Sequence, residues 1–165
     1  NKGDHQYTAA LDTALRACGE RTLVYGTSRR GDSSNLCFKA PSQQGFIDDL
    51  AGARAVISTA GNQLLSEAIH LGKPVLALPE DAVEQRLNAQ AVVDMGVGQS
   101  AALHRLSLTV LGDFLEHCPA YAAATAAHRA DGLADAIQSL NTSIARLARG
   151  RIQQPGRIAR LTGAY

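Results

Sequence analysis

The sequence predicts an α/β fold: a parallel sheet flanked by helices, followed by a helical extension. Three observations lead there. Short apolar runs at 22–25, 36–38, 55–57 and 75–78 alternate with segments of helical spacing. The runs are apolar at consecutive positions, as in strands covered on both faces. The connections are short and punctuated by Gly and Pro.

The elements follow in order. Residues 5–18 place Tyr7, Leu11, Ala14, Leu15 and Cys18 at helical spacing, with Gly19 as the stop. The strand over 22–25 ends at Gly26, and the polar stretch 27–35 reads as a loop. The strand over 36–38 is closed by Pro41, and Ser42 is placed to cap a helix over 45–52. The third run, 55–57, breaks at Ser58-Thr59-Ala60-Gly61, and a helix then runs to about residue 71, ended by Gly72-Lys73-Pro74. The fourth run, 75–78, stops at Pro79, and a helix over 83–95 ends at Gly96. The four runs are expected in one parallel sheet with right-handed crossovers. Beyond Gly98 the pattern is helical. One segment spans 107–127 with Pro119 as punctuation, and an amphipathic one spans 132–149 through Leu133, Ile137, Leu140, Ile144 and Leu147. The expected organisation is an α/β core at 1–98, helices of the same domain at 99–150, and a basic, irregular tail at 151–165.

Composition narrows the function. A chain of 165 residues with 45% hydrophobic and 19% charged residues is an ordinary globular domain, not a disordered, collagen-like or disulfide scaffold. Sixteen basic against fifteen acidic residues give net +1, and there are three Phe, four Tyr and no Trp, so nucleic acid is not an expected partner. Cys18, Cys37 and Cys118 show no CxxC spacing and read as reduced thiols in a cytoplasmic setting. No uncharged apolar run reaches membrane-spanning length. His5, His70, His104, His117 and His128 lack metal-like spacing, and neither a G-x-x-x-x-G-K-[ST] loop nor a G-x-S-x-G elbow occurs. The chain opens on Asn1 and moves directly into helix-like sequence, so a piece of a longer polypeptide is expected.

The informative chemistry lies between Phe46 and Gly98. A strand, a turn of small residues and a helix follow one another at 55–71. Ligands of open α/β sheets sit at the carboxyl ends of strands. Small residues at the turn admit a ligand close to the backbone, and the helix beyond offers unpaired N–H groups and a positive dipole end suited to phosphate. Thr59 adds a hydroxyl. Glu67, six residues past Gly61, can accept two hydrogen bonds from neighbouring hydroxyls. Glu80, Asp81, Glu84, Gln85 and Asn88 follow the next strand and rim the same crevice. Each feature alone is common; a small-residue turn before a helix or an exposed first helical turn occurs in many α/β proteins.

As a set they are specific. Phe46-Ile47-Asp48-Asp49, Ser58-Thr59-Ala60-Gly61, Ser66-Glu67-Ala68, Gly72-Lys73-Pro74-Val75-Leu76, Pro79, Glu84-Gln85-Arg86-Leu87-Asn88-Ala89 and Gly96 resemble the C-terminal, nucleotide-sugar-binding half of GT-B glycosyltransferases. The pattern is similar to that of the MurG-type N-acetylglucosaminyl transferases and related bacterial enzymes. The resemblance covers roughly residues 20–100, about half the chain.

The resemblance implies roles. The backbone at Ile47 would contact uracil. Thr59, Ala60 and Gly61, with the N–H groups of Asn62 and Gln63, would hold the diphosphate. Glu67 would hold the ribose hydroxyls, Glu84 and Gln85 the donor sugar, and Asn88 would support the loop. The chain departs from the pattern at Thr59, where many relatives carry His or Arg, and at Ala60, where the first Gly of a pair usually stands. The family's acceptor domain is not in these residues, nor is the first strand, which the resembled fold places centrally, between 22–25 and 55–57. That strand is expected from an upstream segment or a neighbouring chain.

The function implied is the donor-binding half of an inverting transferase that moves a hexosyl group from a UDP-sugar to a hydroxyl acceptor. The piece alone is expected to be inactive, since its catalytic residues would lie in the absent half. No cofactor or metal is implied; UDP-sugar is the donor substrate. Arg146, Arg149, Arg151, Arg157 and Arg160 near the amphipathic segment form either a solvated basic tail or a contact for an anionic membrane surface or lipid-linked acceptor, so the setting is cytoplasmic with a peripheral option. Two alternatives remain. A UDP-N-acetylglucosamine 2-epimerase shares the fold but carries an Arg-rich segment where Leu78-Pro79-Glu80-Asp81 stand, and a paired Glu-Glu after the turn. The other is a non-catalytic nucleotide-sugar-binding module.

Overall fold

The computed structural model describes residues 3–129 and 132–152. The chain divides into two compact units, Asn1–Ala130 and Asp131–Tyr165.

The first unit opens with α1 (Gly3–Gln6) and α2 (Ala9–Cys18). The single helix expected over 5–18 is broken because Thr8 is extended and caps α2, its hydroxyl accepting from the Leu11 N–H at 3.2 Å. Then come β1 (Thr22–Val24), β2 (Gly31–Ser33), β3 (Leu36–Phe38) and α3 (Gln43–Gly52). Ser42 caps α3 as its position suggested, its hydroxyl accepting from the Gly45 N–H. Next are β4 (Val56–Ser58), α4 (Asn62–His70), β5 (Val75–Ala77), α5 (Val83–Asp94), β6 (Gly98–Ser100) and α6 (Leu108–Thr125). The second unit contains α7 (Gly132–Ile152). The basic tail expected at 151–165 falls beyond it apart from Arg151 and Ile152; residues 153–165, with Arg157 and Arg160, lie outside the described residues.

Strand pairing corrects the expectation of one sheet. Two three-stranded ladders form, in the orders β1-β3-β2 and β4-β5-β6. β1 is parallel to β3, and β4, β5 and β6 are mutually parallel. β2 lies within the polar stretch 27–35 expected as a loop; it is an antiparallel edge strand on β3, reached through a two-residue turn at Ser34-Asn35 with Ser34 at a left-handed φ of 58°. β6 was read as the start of the helical region. Gly98 permits it: a Cβ there would stand 1.9 Å from the Val75 carbonyl oxygen.

β5 is buried at every position, and its side chains alternate between two cores. Val75 and Ala77 join Leu65, Ala68, Val92 and Val97 beneath α4 and α5. Leu76 and Leu78 join Leu15, Val24, Phe38 and Phe114. This second cluster draws residues from both ladders, and α2 and α6 pack across it. β1 and β4 are the facing ends of the two ladders, with a cleft of about 740 Å3 between them.

Pro119 lies inside α6 rather than ending it. It has no N–H to give the Leu115 carbonyl one turn back. Arg54 supplies the missing donor, its guanidinium donating to that carbonyl at 2.9 Å.

In α7, Ile137, Leu140, Ile144 and Leu147 are all exposed and share one face by spacing. No helix among the described residues is long and apolar enough to cross a membrane.

Candidate functional site

Val56–Ser58 delivers the chain to the carboxyl edge of its ladder, where Thr59-Ala60-Gly61 turns it into α4. The turn is tight enough that Ala60 takes a left-handed φ of 63°, which costs a non-glycine residue about 1 kcal/mol or more. Three contacts hold it. The buried Ser58 hydroxyl accepts from the Ala60 N–H at 3.1 Å. Asn88, reaching from α5, donates its side-chain amide to the Ala60 carbonyl at 3.0 Å. The Ala60 methyl itself is fully buried against the core of α4 and α5.

Gly61 is the N-cap of α4 and provides no side-chain cap. The helical ladder begins with the Leu65 N–H donating to the Gly61 carbonyl at 3.2 Å. The N–H groups of Asn62, Gln63 and Leu64 therefore stand ahead of it, at the positive end of the helix.

These groups border a groove of about 570 Å3 lined by Phe46, Ser58, Thr59, Gly61 and Asn62, and by Gln63, Leu64, Glu67 and Glu84. It joins three elements. α4 contributes the helix start and, one turn along the same face, Glu67, whose carboxylate accepts from the Gln63 amide at 3.0 Å. α5 contributes Glu84 in its first turn. α3 contributes the Phe46 ring, packed edge-on against Tyr25 with centroids 5.0 Å apart.

Six residues singled out in the sequence thus share one groove: Thr59, Gly61, Asn62, Gln63, Glu67 and Glu84. Ala60 and Asn88 stand behind it, forming and bracing the turn. Gln85 turns to its own loop: its side-chain oxygen accepts from the Glu80 N–H at 2.8 Å. Ile47 lies within α3 and is not among the lining residues; its backbone groups belong to that helix's ladder. Two contributors were missed. The Phe46 ring lines the groove only because of how α3 docks. Asp49 anchors α3, accepting from the Tyr25 hydroxyl at 2.5 Å and pairing with Lys39 at 3.2 Å. The Tyr25 hydrogen bond holds the Asp49 carboxyl below its usual range, with the Lys39 ammonium adding to the effect. Burial first, then the bond to Asp49, pushes the Tyr25 phenol up to about 12.

The arrangement can receive an anion at the α4 terminus and present two carboxylates, Glu67 and Glu84, to neutral hydroxyls beyond it. Among the described residues no group of three or more His, Cys, Asp or Glu side chains is placed to hold a metal ion.

Three solved structures share the fold. The glycotransferase of kitacinnamycin is 17% identical over 75% of this chain and 35% of its own, with a TM-score of 0.62. The spinosyn forosaminyltransferase SpnP is 18% identical over 73% of this chain and 33% of its own, with a TM-score of 0.58. The calicheamicin glycosyltransferase CalG4 is 23% identical over 62% of this chain and 29% of its own, with a TM-score of 0.50. The chain thus spans about a third of the length of each. No curated protein matches the sequence. The family model for glycosyl transferase family 1 matches residues 5–119, well over half of the chain, and the chain belongs to that family.

Proposed function

We propose that this chain is the donor-binding half of an inverting, MurG-like glycosyltransferase, and that its groove holds a UDP-sugar. The observation that carries the reading is the single groove uniting the open α4 terminus with Glu67 and Glu84. The diphosphate lies against Thr59, Gly61 and the N–H groups of Asn62 and Gln63. The ribose hydroxyls meet Glu67, the hexose meets Glu84, and the uracil lies toward Phe46.

Transfer is a direct displacement. The acceptor oxygen forms its bond to the anomeric carbon as the bond from that carbon to the diphosphate oxygen breaks. UDP leaves with the electron pair. The acceptor proton passes to a base on the acceptor-binding half, and configuration inverts. The groove's part is to orient the donor and to meet the charge growing on the departing diphosphate with backbone N–H groups and the helix dipole.

Calorimetry of UDP binding to the full-length enzyme tests the site. Glu67→Ala weakens UDP by about 1.5–3 kcal/mol if the charged carboxylate holds both ribose hydroxyls. Equal affinity for wild type and variant removes Glu67 from the site.

The exposed apolar face of α7, with Arg146 on the same helix, supports a second element: attachment to an anionic lipid surface carrying the acceptor. Sedimentation with phosphatidylglycerol vesicles, compared with phosphatidylcholine vesicles, tests it. Equal partitioning to both removes the element.

A further inference from the structure

The two carboxylates of the groove are not held alike. Glu67 is half-buried on α4, and its Oε1 accepts from the Gln63 side-chain amide at 3.0 Å. Among the described residues that amide is the only hydrogen-bond partner of the Glu67 side chain, and no cation pairs with it. Glu84 is exposed, and among the described residues neither a hydrogen bond nor an ion pair fixes its side chain. One carboxylate of the site is therefore oriented in advance and the other is not.

The orienting residue sits at a junction. Gln63 is the second residue of α4, and its own N–H is one of the three that stand ahead of the helical ladder. Its side chain runs along the helix to the residue four positions on, about 6 Å further by helical rise. Backbone and side chain of this one residue thus serve the anion end of the groove and its first carboxylate. Both Gln63 and Glu67 line the groove, whereas a Gln–Glu pair that only supports a helix has no need to face a cavity.

The chemistry of the bond leaves Glu67 able to work. An ionised carboxylate only accepts, so the amide meets it with its NH2 group. The bond takes one of roughly four acceptor positions, which leaves Oε2 and the rest of Oε1 for two adjacent hydroxyls. A glutamate ordered before binding loses less rotamer freedom when its ligand arrives.

We propose that Gln63 is a positioning residue for the ribose: its side-chain amide holds the Glu67 carboxylate in the orientation that receives both hydroxyls, and so sets how strongly the site distinguishes ribonucleotide from 2′-deoxyribonucleotide donors. The proposal rests on the reading of the groove as a UDP-sugar site.

Calorimetry on the full-length enzyme tests it with UDP, 2′-deoxy-UDP and inorganic pyrophosphate. Wild type is expected to bind UDP at least about tenfold more tightly than 2′-deoxy-UDP, the equivalent of one hydrogen bond to a charged group. Gln63→Ala is expected to narrow that ratio at least about threefold, mainly by weakening UDP, with pyrophosphate affinity unchanged because the backbone N–H remains. Gln63→Lys supplies another donor to Glu67 and is expected to restore the ratio. Its charge acts on all three ligands through their phosphates, so the ratio isolates the bond to Glu67. In a Glu67→Ala background, Gln63→Ala is expected to leave the ratio where Glu67→Ala alone puts it.

A wild-type ratio in Gln63→Ala overturns the proposal, and a loss of UDP affinity in Glu67→Ala then leaves the site reading standing. Pyrophosphate weakened as much as UDP in Gln63→Ala assigns the residue to the shape of the helix start and also overturns it. So does a ratio that stays narrow in Gln63→Lys. Unchanged UDP affinity in Glu67→Ala removes the site reading itself, and the proposal with it.

Discussion

Asn88 holds Ala60 from behind: its side-chain amide donates to the Ala60 carbonyl across 28 positions of sequence, at 3.0 Å. The bond fixes the one non-glycine residue of the turn that has a left-handed backbone, at φ 63°. Asn88→Ala removes the donor and leaves the carbonyl of the fully buried Ala60 unpaired, so a loss of about 1–3 kcal/mol is expected in denaturant unfolding. UDP affinity should fall with it, because the turn presents the α4 N–H groups. A variant with lowered stability and unchanged affinity would separate Asn88 from the site.

Glu84 lines the groove at the start of α5, together with Glu67. Gln85 fixes the loop before it through the Glu80 N–H. Glu84→Ala and Gln85→Ala are each expected to lower turnover with UDP-sugar while leaving UDP affinity nearly unchanged. Parallel losses for both ligands would assign α5 a purely structural part. By the same logic the site is expected to prefer UDP over dTDP donors, since a 2′-deoxyribose would leave one Glu67 interaction unmade; equal turnover with both would contradict this.

The Tyr25–Asp49 bond gives the fold a pH window. Tyr25 has its folded value raised from 10 to about 12, so its contribution is complete below pH 10 and is lost as pH rises toward 12. Asp49 has its folded value lowered from 3.8, so its contribution is present above that value and is lost as pH falls through the depressed one. Urea midpoints measured across pH should show both limbs. Tyr25→Phe is expected to reduce both, leaving the share of the alkaline limb that Tyr7, also near 12, supplies.

Gly98 has no room for a side chain, with Val75 backbone at 1.9 Å from an ideal Cβ and a Val92 methyl at 2.9 Å. Gly98→Ala must push β6 off β5, at a cost of about 3 kcal/mol. A thermal midpoint within a degree or two of wild type would contradict this packing.

What the sequence disclosed follows from how local each signal is. β5 and α4 were legible because Val75-Leu76-Ala77 and the small-residue turn write burial and termination into consecutive residues. The groove residues were legible for the same reason, lying on one turn, one helix and the next helix start. β2 was hidden because Gly31-Asp32-Ser33 is exposed at every position and owes its conformation to pairing with β3. β6 was hidden because Gly98-Gln99-Ser100 has no apolar pattern and is fixed by contact with β5. The place of Phe46 at the groove depends on Tyr25 and Asp49 docking α3, a long-range contact that its local motif does not show. The strands part into two ladders between β1 and β4, where the resemblance, and no local pattern, places a further strand.

Pro119 and Arg54 carry an evolutionary constraint on order. Arg54 is 57% exposed by side chain, and as half of an ion pair with Glu20 it should be freely replaceable. Pro119 gives it a second role, since it leaves the Leu115 carbonyl without its helical donor. Arg54→Met is therefore costly in the present background and close to neutral after Pro119→Ala, which restores the donor. A double-mutant cycle reads this as a non-additive pair whose members are 65 positions apart in sequence. The order of the two substitutions is therefore expected to matter: losing the proline first leaves the arginine the less costly residue to lose.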